Sequence, residues 1–142
     1  NGATQAGGSF DLANAPAELI KFVGKMFTFR KAFAPYFNVY QHILDFPNGQ
    51  SVDGEAHMVD GQGFLLLYNP TDAPLTIDLP LDEPSLELSQ SVSYNLSDWS
   101  NLDSGQAFSP SSARPGDKIP VTVPATGWKV IGLNMPLTLP RK

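Results

Sequence analysis

A mainly β chain, an antiparallel β-sandwich of six to eight strands led by one helix, is the fold this sequence predicts. Three observations carry the expectation. Short segments of alternating or continuous apolar residues recur, with a turn signal every ten residues or so. Glycine and proline number 12 and 13 in 142 residues, which keeps regular elements short. A single stretch near the start has helical spacing, and no strand alternates with a helix, so a doubly wound sheet is not encoded.

Residues 1–13 are small, polar and glycine-containing, and read as a flexible leader or linker. A single domain over 14–142 follows, since a chain of this length carries one core. The helix is expected from about Ala15 to Ala34. Asn14 can cap it, Pro16 suits the first turn, Glu18 meets the positive end of the dipole, and Pro35 stops it. Leu19, Phe22, Val23, Met26, Phe27, Arg30 and Phe33 recur at helical spacing, and Phe29 falls outside that line. So broad an apolar stripe needs a broad apolar partner, wider than one sandwich face.

The sandwich is expected over about 37–135. Phe37 to Phe46 is transitional, and Pro47-Asn48-Gly49 is a turn. Asp53-Gly54 also reads as a turn, Glu55 to Val59 as a strand, and Asp60-Gly61 as another tight turn. Phe64 to Tyr68 is an apolar run with the length of a buried strand, closed by Asn69-Pro70-Thr71-Asp72. Leu75 to Leu79 alternates perfectly, and Leu86, Leu88, Val92, Tyr94 and Leu96 alternate again. Asn95 to Pro115, rich in serine, glycine and proline, is the longest loop expected. Ile119, Val121 and Val123 alternate with prolines that push the strand to an edge. Trp128 to Leu133 forms the last strand, with Trp128 in the core, and Pro136 to Lys142 is a tail.

Composition narrows the function. The chain is 42% hydrophobic and 16% charged, as a globular domain is. Net charge is −5 with scattered cations, so neither a nucleic-acid backbone nor an anionic membrane is an expected partner. A neutral partner such as a sugar suits this surface. Without cysteine there is no disulfide, thiolate metal ligand or thiol nucleophile. Asn1 to Phe10 has no positive start or apolar core, so no signal peptide is expected, and no initiator methionine is present. The chain is then a processed protein or a piece of a longer one, and its compartment stays open. A secreted or periplasmic parent is compatible with it.

Each chemical constellation has a plainer reading beside it. Asp53 and Glu55, with His57 nearby, form the best carboxylate pair. A glycosidase needs two carboxyls facing across one bond, about 5 to 9.5 Å apart, and a same-strand pair flanks nothing. His42, His57, Asp45 and Asp60 lack a ligand-spaced metal motif. No Gly-x-Ser-x-Gly elbow or phosphate loop occurs, and no cofactor is implied. Tyr94, Asp98 and Trp99 beside the long polar loop are the candidate carbohydrate contacts, since sugar C–H faces stack on rings while carboxylates take hydroxyls. The plainer reading has Trp99 plugging one end of the sandwich. Asn95-Leu96-Ser97 fits an N-glycosylation sequon.

Three segments together resemble a known group. They are Phe29-Arg30-Lys31-Ala32-Phe33 through Phe46-Pro47-Asn48-Gly49, then Val52-Asp53-Gly54-Glu55-Ala56-His57, then Gly63-Phe64-Leu65-Leu66-Leu67-Tyr68-Asn69-Pro70-Thr71. Their order is similar to the C-terminal end of barrel-type glycoside hydrolases related to α-galactosidases, and Val121 to Leu133 is similar to the closing hairpin of such domains. The resemblance implies a catalytic (β/α) barrel upstream, absent here, with this chain as a non-catalytic accessory domain. The helix stripe of Leu19, Phe22, Val23, Met26, Phe27 and Phe33 would then face the barrel, or a second copy of the chain. No catalytic residue carries over, because the barrel strands are missing. A carbohydrate-binding module using loop aromatics is the alternative.

Overall fold

A computed structural model describes residues 13–81, 86, 88 and 92–141. The elements run α1 (Ala17–Ala32), α2 (Ala34–Phe37), β1 (Gln41–Ile43), β2 (Asp53–Val59), β3 (Gln62–Asn69), β4 (Leu75–Pro80), β5 (Tyr94–Asp98), β6 (Gln106–Ala113), β7 (Lys118–Val123) and β8 (Gly127–Leu133). All strand pairings are antiparallel. One sheet has the order β1-β2-β3-β8-β5-β6 and the other pairs β4 with β7. The expected sandwich is therefore present, with the helix as a third layer on the outside of the larger sheet. The leader assigned to 1–13 lies outside the described residues except at Ala13, as does most of the segment around Leu86 and Leu88.

Alternation decides which sheet face each side chain joins. Leu75, Ile77 and Leu79 of β4 stand opposite Val123, Val121 and Ile119 of β7. These six meet Ile43, Ala56, Leu65, Leu67, Ile131 and Leu133 of the large sheet in an aliphatic inner core. Asn69, fully buried, ties the two sheets at one end. Its amide donates to the carbonyls of Ala73 at 2.8 Å and Val123 at 3.1 Å, and its oxygen accepts from the Thr71 backbone at 2.9 Å and hydroxyl at 2.8 Å. With all these capacities met, a buried amide costs little.

A second, aromatic core lies on the other face of the same sheet. Phe29, Phe33 and Phe37 pack on Phe64 with ring centroids 4.9, 4.8 and 6.0 Å apart, and Trp99 closes the cluster. This explains the continuous apolar run of β3. Phe64 faces the helix while Leu65 and Leu67 face β4 and β7, so both sides of the strand are covered. Gly63 lets β2 and β3 close at their turn. Its φ is +152°, and an added Cβ would stand 1.9 Å from the His57 carbonyl oxygen.

Several expectations are corrected. Phe29 is 1% exposed and lies at the centre of the packed face, not off the stripe. Phe33, assigned to a missing partner, is 2% exposed and packs on the chain's own sheet. Residues 29, 33 and 37 lie four apart, so they form one row of their own. Pro16 takes the N-cap with φ −57° and ψ 142°, the extended conformation that lets α1 begin after it. Pro35 does not end the helical region. It sits in the first turn of α2, where its missing N–H is harmless. Asp53-Gly54 lies within β2, opposite Tyr68 and Leu67, and not in a turn. The expected loop from Asn95 to Pro115 holds β5 and β6. β6 has Phe108 as its one large apolar side chain, and as an edge strand it is exposed along most of its length, so periodicity could not reveal it.

Candidate functional site

The outer face of the large sheet is ruled into rows by strand register. One row is His57–Phe64–Gly132, the next Glu55–Leu66–Val130, the last Asp53–Tyr68–Trp128. Helix α1 and Phe37 seal the first row. The last row is left partly open, with Tyr68 44% exposed. Between helix and sheet there remains a cleft of about 460 Å³, walled by Met26, Leu66, Trp128 and Val130 and bordered by Asp53 and Glu55. Phe22 leans on Trp128 with ring centroids 4.6 Å apart and a 35° tilt. The Trp128 indole is anchored from behind, its Nε1–H donating to the Ser100 carbonyl at 3.3 Å.

The polar border has a distinct electrostatic character. Burial pushes the Asp53 carboxyl above its ordinary value, His42 pulls it back, and the neighbouring Glu55 charge raises it again. Burial raises the Tyr40 phenol as well, followed by the charges of Glu55 and Asp53. His57 is fully buried. Its Nδ1 donates to the Val39 carbonyl at 2.6 Å, and its Nε2 lies 3.3 Å from Glu55 Oε2.

The residues singled out from the sequence fall elsewhere. Tyr94 is buried in the inner core and Trp99 is fully buried in the aromatic one, so neither ring offers a face to a sugar. The plainer expectation of a buried Trp99 agrees with its burial, but the ring packs on Phe29, Phe33 and Phe64 beneath the helix and not at an end of the sandwich. Asp98 is held by Lys129 at 2.8 Å and accepts from the Ser100 backbone at 2.8 Å. Burial alone would raise its carboxyl, but the bonds from Lys129 and Ser100 outweigh it and hold the group below the ordinary value. His42 stands opposite Glu55 in the β1–β2 register, on the same sheet face, its Nε2 bonding the Asp45 carbonyl at 3.0 Å and its ring stacking on Phe46 at 5.0 Å. Among the described residues no three histidine, aspartate or glutamate side chains gather as metal ligands would.

Asp53 and Glu55 stand side by side on one strand, and the wall facing them is apolar. The arrangement offers hydrogen-bond acceptors beside aromatic rings, with no carboxyl across the cleft. Sequence reasoning missed Tyr68 and Trp128 as its walls. Their signal was parity. Tyr68 shares its sheet face with Phe64 and Leu66, and Trp128 shares its face with Val130.

No protein-family model matches the chain, and no curated protein matches it. Solved structures do match. Alpha-galactosidase I from Mortierella vinacea superposes with a TM-score of 0.55 at 14% identity, over 93% of this chain and 32% of its own. The debranching enzyme of Nostoc punctiforme gives 0.53 at 15% identity, over 87% of this chain and 22% of its own. An Anoxybacillus alpha-amylase gives 0.53 at 17% identity, over 88% of this chain and 24% of its own. The chain shares its fold with a part of glycoside hydrolases. The resemblance read from the sequence thus holds at the level of fold, an α-galactosidase being among the matches, and the chain spans a third or less of each matched protein.

Proposed function

We propose that this chain is the non-catalytic, C-terminal accessory domain of a glycoside hydrolase, and that it stiffens a catalytic barrel by docking through helix α1. One observation carries the reading. The helix has two apolar faces, and its own sheet covers only one. Phe29 and Phe33 are sealed, while Leu19, Ile20 and Phe27 are 41%, 43% and 50% exposed on other sides of the helix. An isolated domain gains nothing from so much exposed apolar surface on one short helix, and such a face marks a contact. The shared fold supports the choice of partner, because each matched enzyme is three to five times as long as the part matched. The chemistry of the cleft agrees. Asp53 and Glu55 share one wall, whereas glycoside hydrolysis places its two carboxyls on either side of the bond.

The test is a longer polypeptide joining the barrel to this chain. Calorimetry should show one cooperative transition, and the pair of substitutions Ile20→Glu and Phe27→Glu should split it in two and shorten the enzyme's half-life. Hydrolysis of aryl-glycosides by the purified chain alone, or a single transition that survives both substitutions, would refute the proposal. Concentration-dependent dimerisation of the purified chain, lost in the same variant, would point instead to a second copy as the natural cover of the helix.

A further inference from the structure

The open row of the outer sheet face goes beyond a docking role. We propose that it is a saccharide-binding cleft, in which a sugar ring rests on Tyr68 and Trp128 while Asp53 and Glu55 accept hydrogen bonds from its hydroxyls. The accessory-domain reading contributes only the preference for a sugar over other polyols.

The geometry supplies each element such a ligand needs. The volume of about 460 Å³ lies within the range of small-ligand sites. A second hollow of about 450 Å³ adjoins it and shares Tyr68 and Trp128 as walls, so the groove has length for more than one ring. Tyr68 and Phe22 are 44% and 37% exposed, and Phe22 lies over part of the Trp128 indole at 4.6 Å, so Tyr68, in register beside Trp128, is the more open ring and Trp128 borders it as a wall. One exposed ring beside an aromatic wall suits the flat C–H face of a pyranose. A quaternary ammonium ion would need rings arranged around a point.

The polar border then selects among apolar-faced ligands. Among the described residues, no hydrogen bond or ion pair to Asp53 or to the Tyr68 hydroxyl is present. An apolar protein segment laid over this row would strand that carboxylate away from water, which is costly. A neutral ligand rich in hydroxyl donors would satisfy it. The same carboxylate would stack poorly with anionic ligands, and the chain's net charge of −5 disfavours them further.

The experiment titrates the intact chain with maltohexaose, cellohexaose and α-1,6-galactobiose, following tryptophan fluorescence and heat. The chain has two tryptophans, and only Trp128 borders the cleft, Trp99 being fully buried. At least one saccharide should give a saturable change. Tyr68→Ala should abolish it, and Asp53→Asn should weaken it by about tenfold, the scale of one lost charged hydrogen bond. Tyr68→Gln, which keeps a polar side chain and loses the ring, should also abolish it, and a thermal melt confirms that each variant is folded. No response to any saccharide at about 10 mM would overturn the proposal. So would a response that both Tyr68→Ala and Asp53→Asn leave intact, or one seen with tetramethylammonium and with no sugar. The helix-face substitutions Ile20→Glu and Phe27→Glu should leave this titration unchanged, so failure of the cleft and failure of barrel docking give separate results.

Discussion

The two faces of the six-stranded sheet are closed by different means. The inner face meets β4 and β7, whose Leu75, Ile77, Leu79, Ile119, Val121 and Val123 cover it with branched aliphatic side chains. The outer face meets a helix, and a helix is narrower than a sheet. Phe29, Phe33 and Phe37 seal the row at His57–Phe64–Gly132 and leave the row at Asp53–Tyr68–Trp128 ajar. Strand against sheet gives closure by register. Helix against sheet gives closure by a few large rings and leaves room beside them, and that is where the polar groups collect.

The largest expected effects test whether the aromatic side is as strong as the aliphatic one. Phe64→Ala removes the ring on which Phe29, Phe33, Phe37 and Trp99 all rest, and should cost about 3–5 kcal/mol in equilibrium urea unfolding. Leu67→Ala, on the inner face, should cost about 2–5 kcal/mol. Hydrogen exchange separates them. Phe64→Ala should deprotect α1 first, whereas Leu67→Ala should lower protection across β3, β4 and β7 together. Equal deprotection of α1 in both variants would mean that the two cores act as one unit.

Asn69→Ala comes next, at about 1–3 kcal/mol, because it removes the buried bond to the Val123 carbonyl and leaves the Thr71 backbone N–H without its acceptor at the joint between the sheets. Two aspartates, Asp98 in register with Ile131 of the inner face and Asp53 on the outer row, should behave oppositely with pH. Asp98 is held below its ordinary value of 3.8, so its stabilisation is present above that value and lost as pH falls through the folded-state value. Asp53 is held above 3.8, so its contribution is most favourable below that value and is lost as pH rises through the folded-state value. At pH 7, Asp98→Asn should therefore destabilise, by no more than about 1 kcal/mol for a half-exposed pair, and Asp53→Asn should stabilise slightly. Both differences should vanish in strong acid. Phe27→Glu should change the stability of this chain least, within about 0.5 kcal/mol, since the ring touches solvent and not the sheet.

How much of this was legible depended on which side of the sheet a residue faced. The inner core was readable because alternation in β4 and β7 is strict, and one face of a strand pair fixes the other. The helix itself was readable, but its two faces were not. Phe22, Phe27, Phe29 and Phe33 are alike as letters, and only the packing separates the sealed from the open. Tyr94 and Trp99 looked like loop aromatics because serine, asparagine and glycine surround them. Those residues instead build β5 and the edge strand β6, whose pairing rests on backbone bonds that leave no apolar period. The cleft was invisible for a related reason. Asp53, Tyr68 and Trp128 are brought into one row by pairing across three strands, and no local window of sequence contains all three.

The position of β8 has a consequence for biosynthesis. It is the last described strand in the chain, yet it lies between β3 and β5 near the middle of the large sheet. Val130 of β8 is also a floor for the aromatic cluster begun by Phe29, 101 residues earlier. At the usual pace of translation the helix must wait roughly 5 to 20 seconds after leaving the ribosome before its resting place is complete. During that interval its phenylalanines can meet Phe64 of β3 but still lack the floor that Val130 completes.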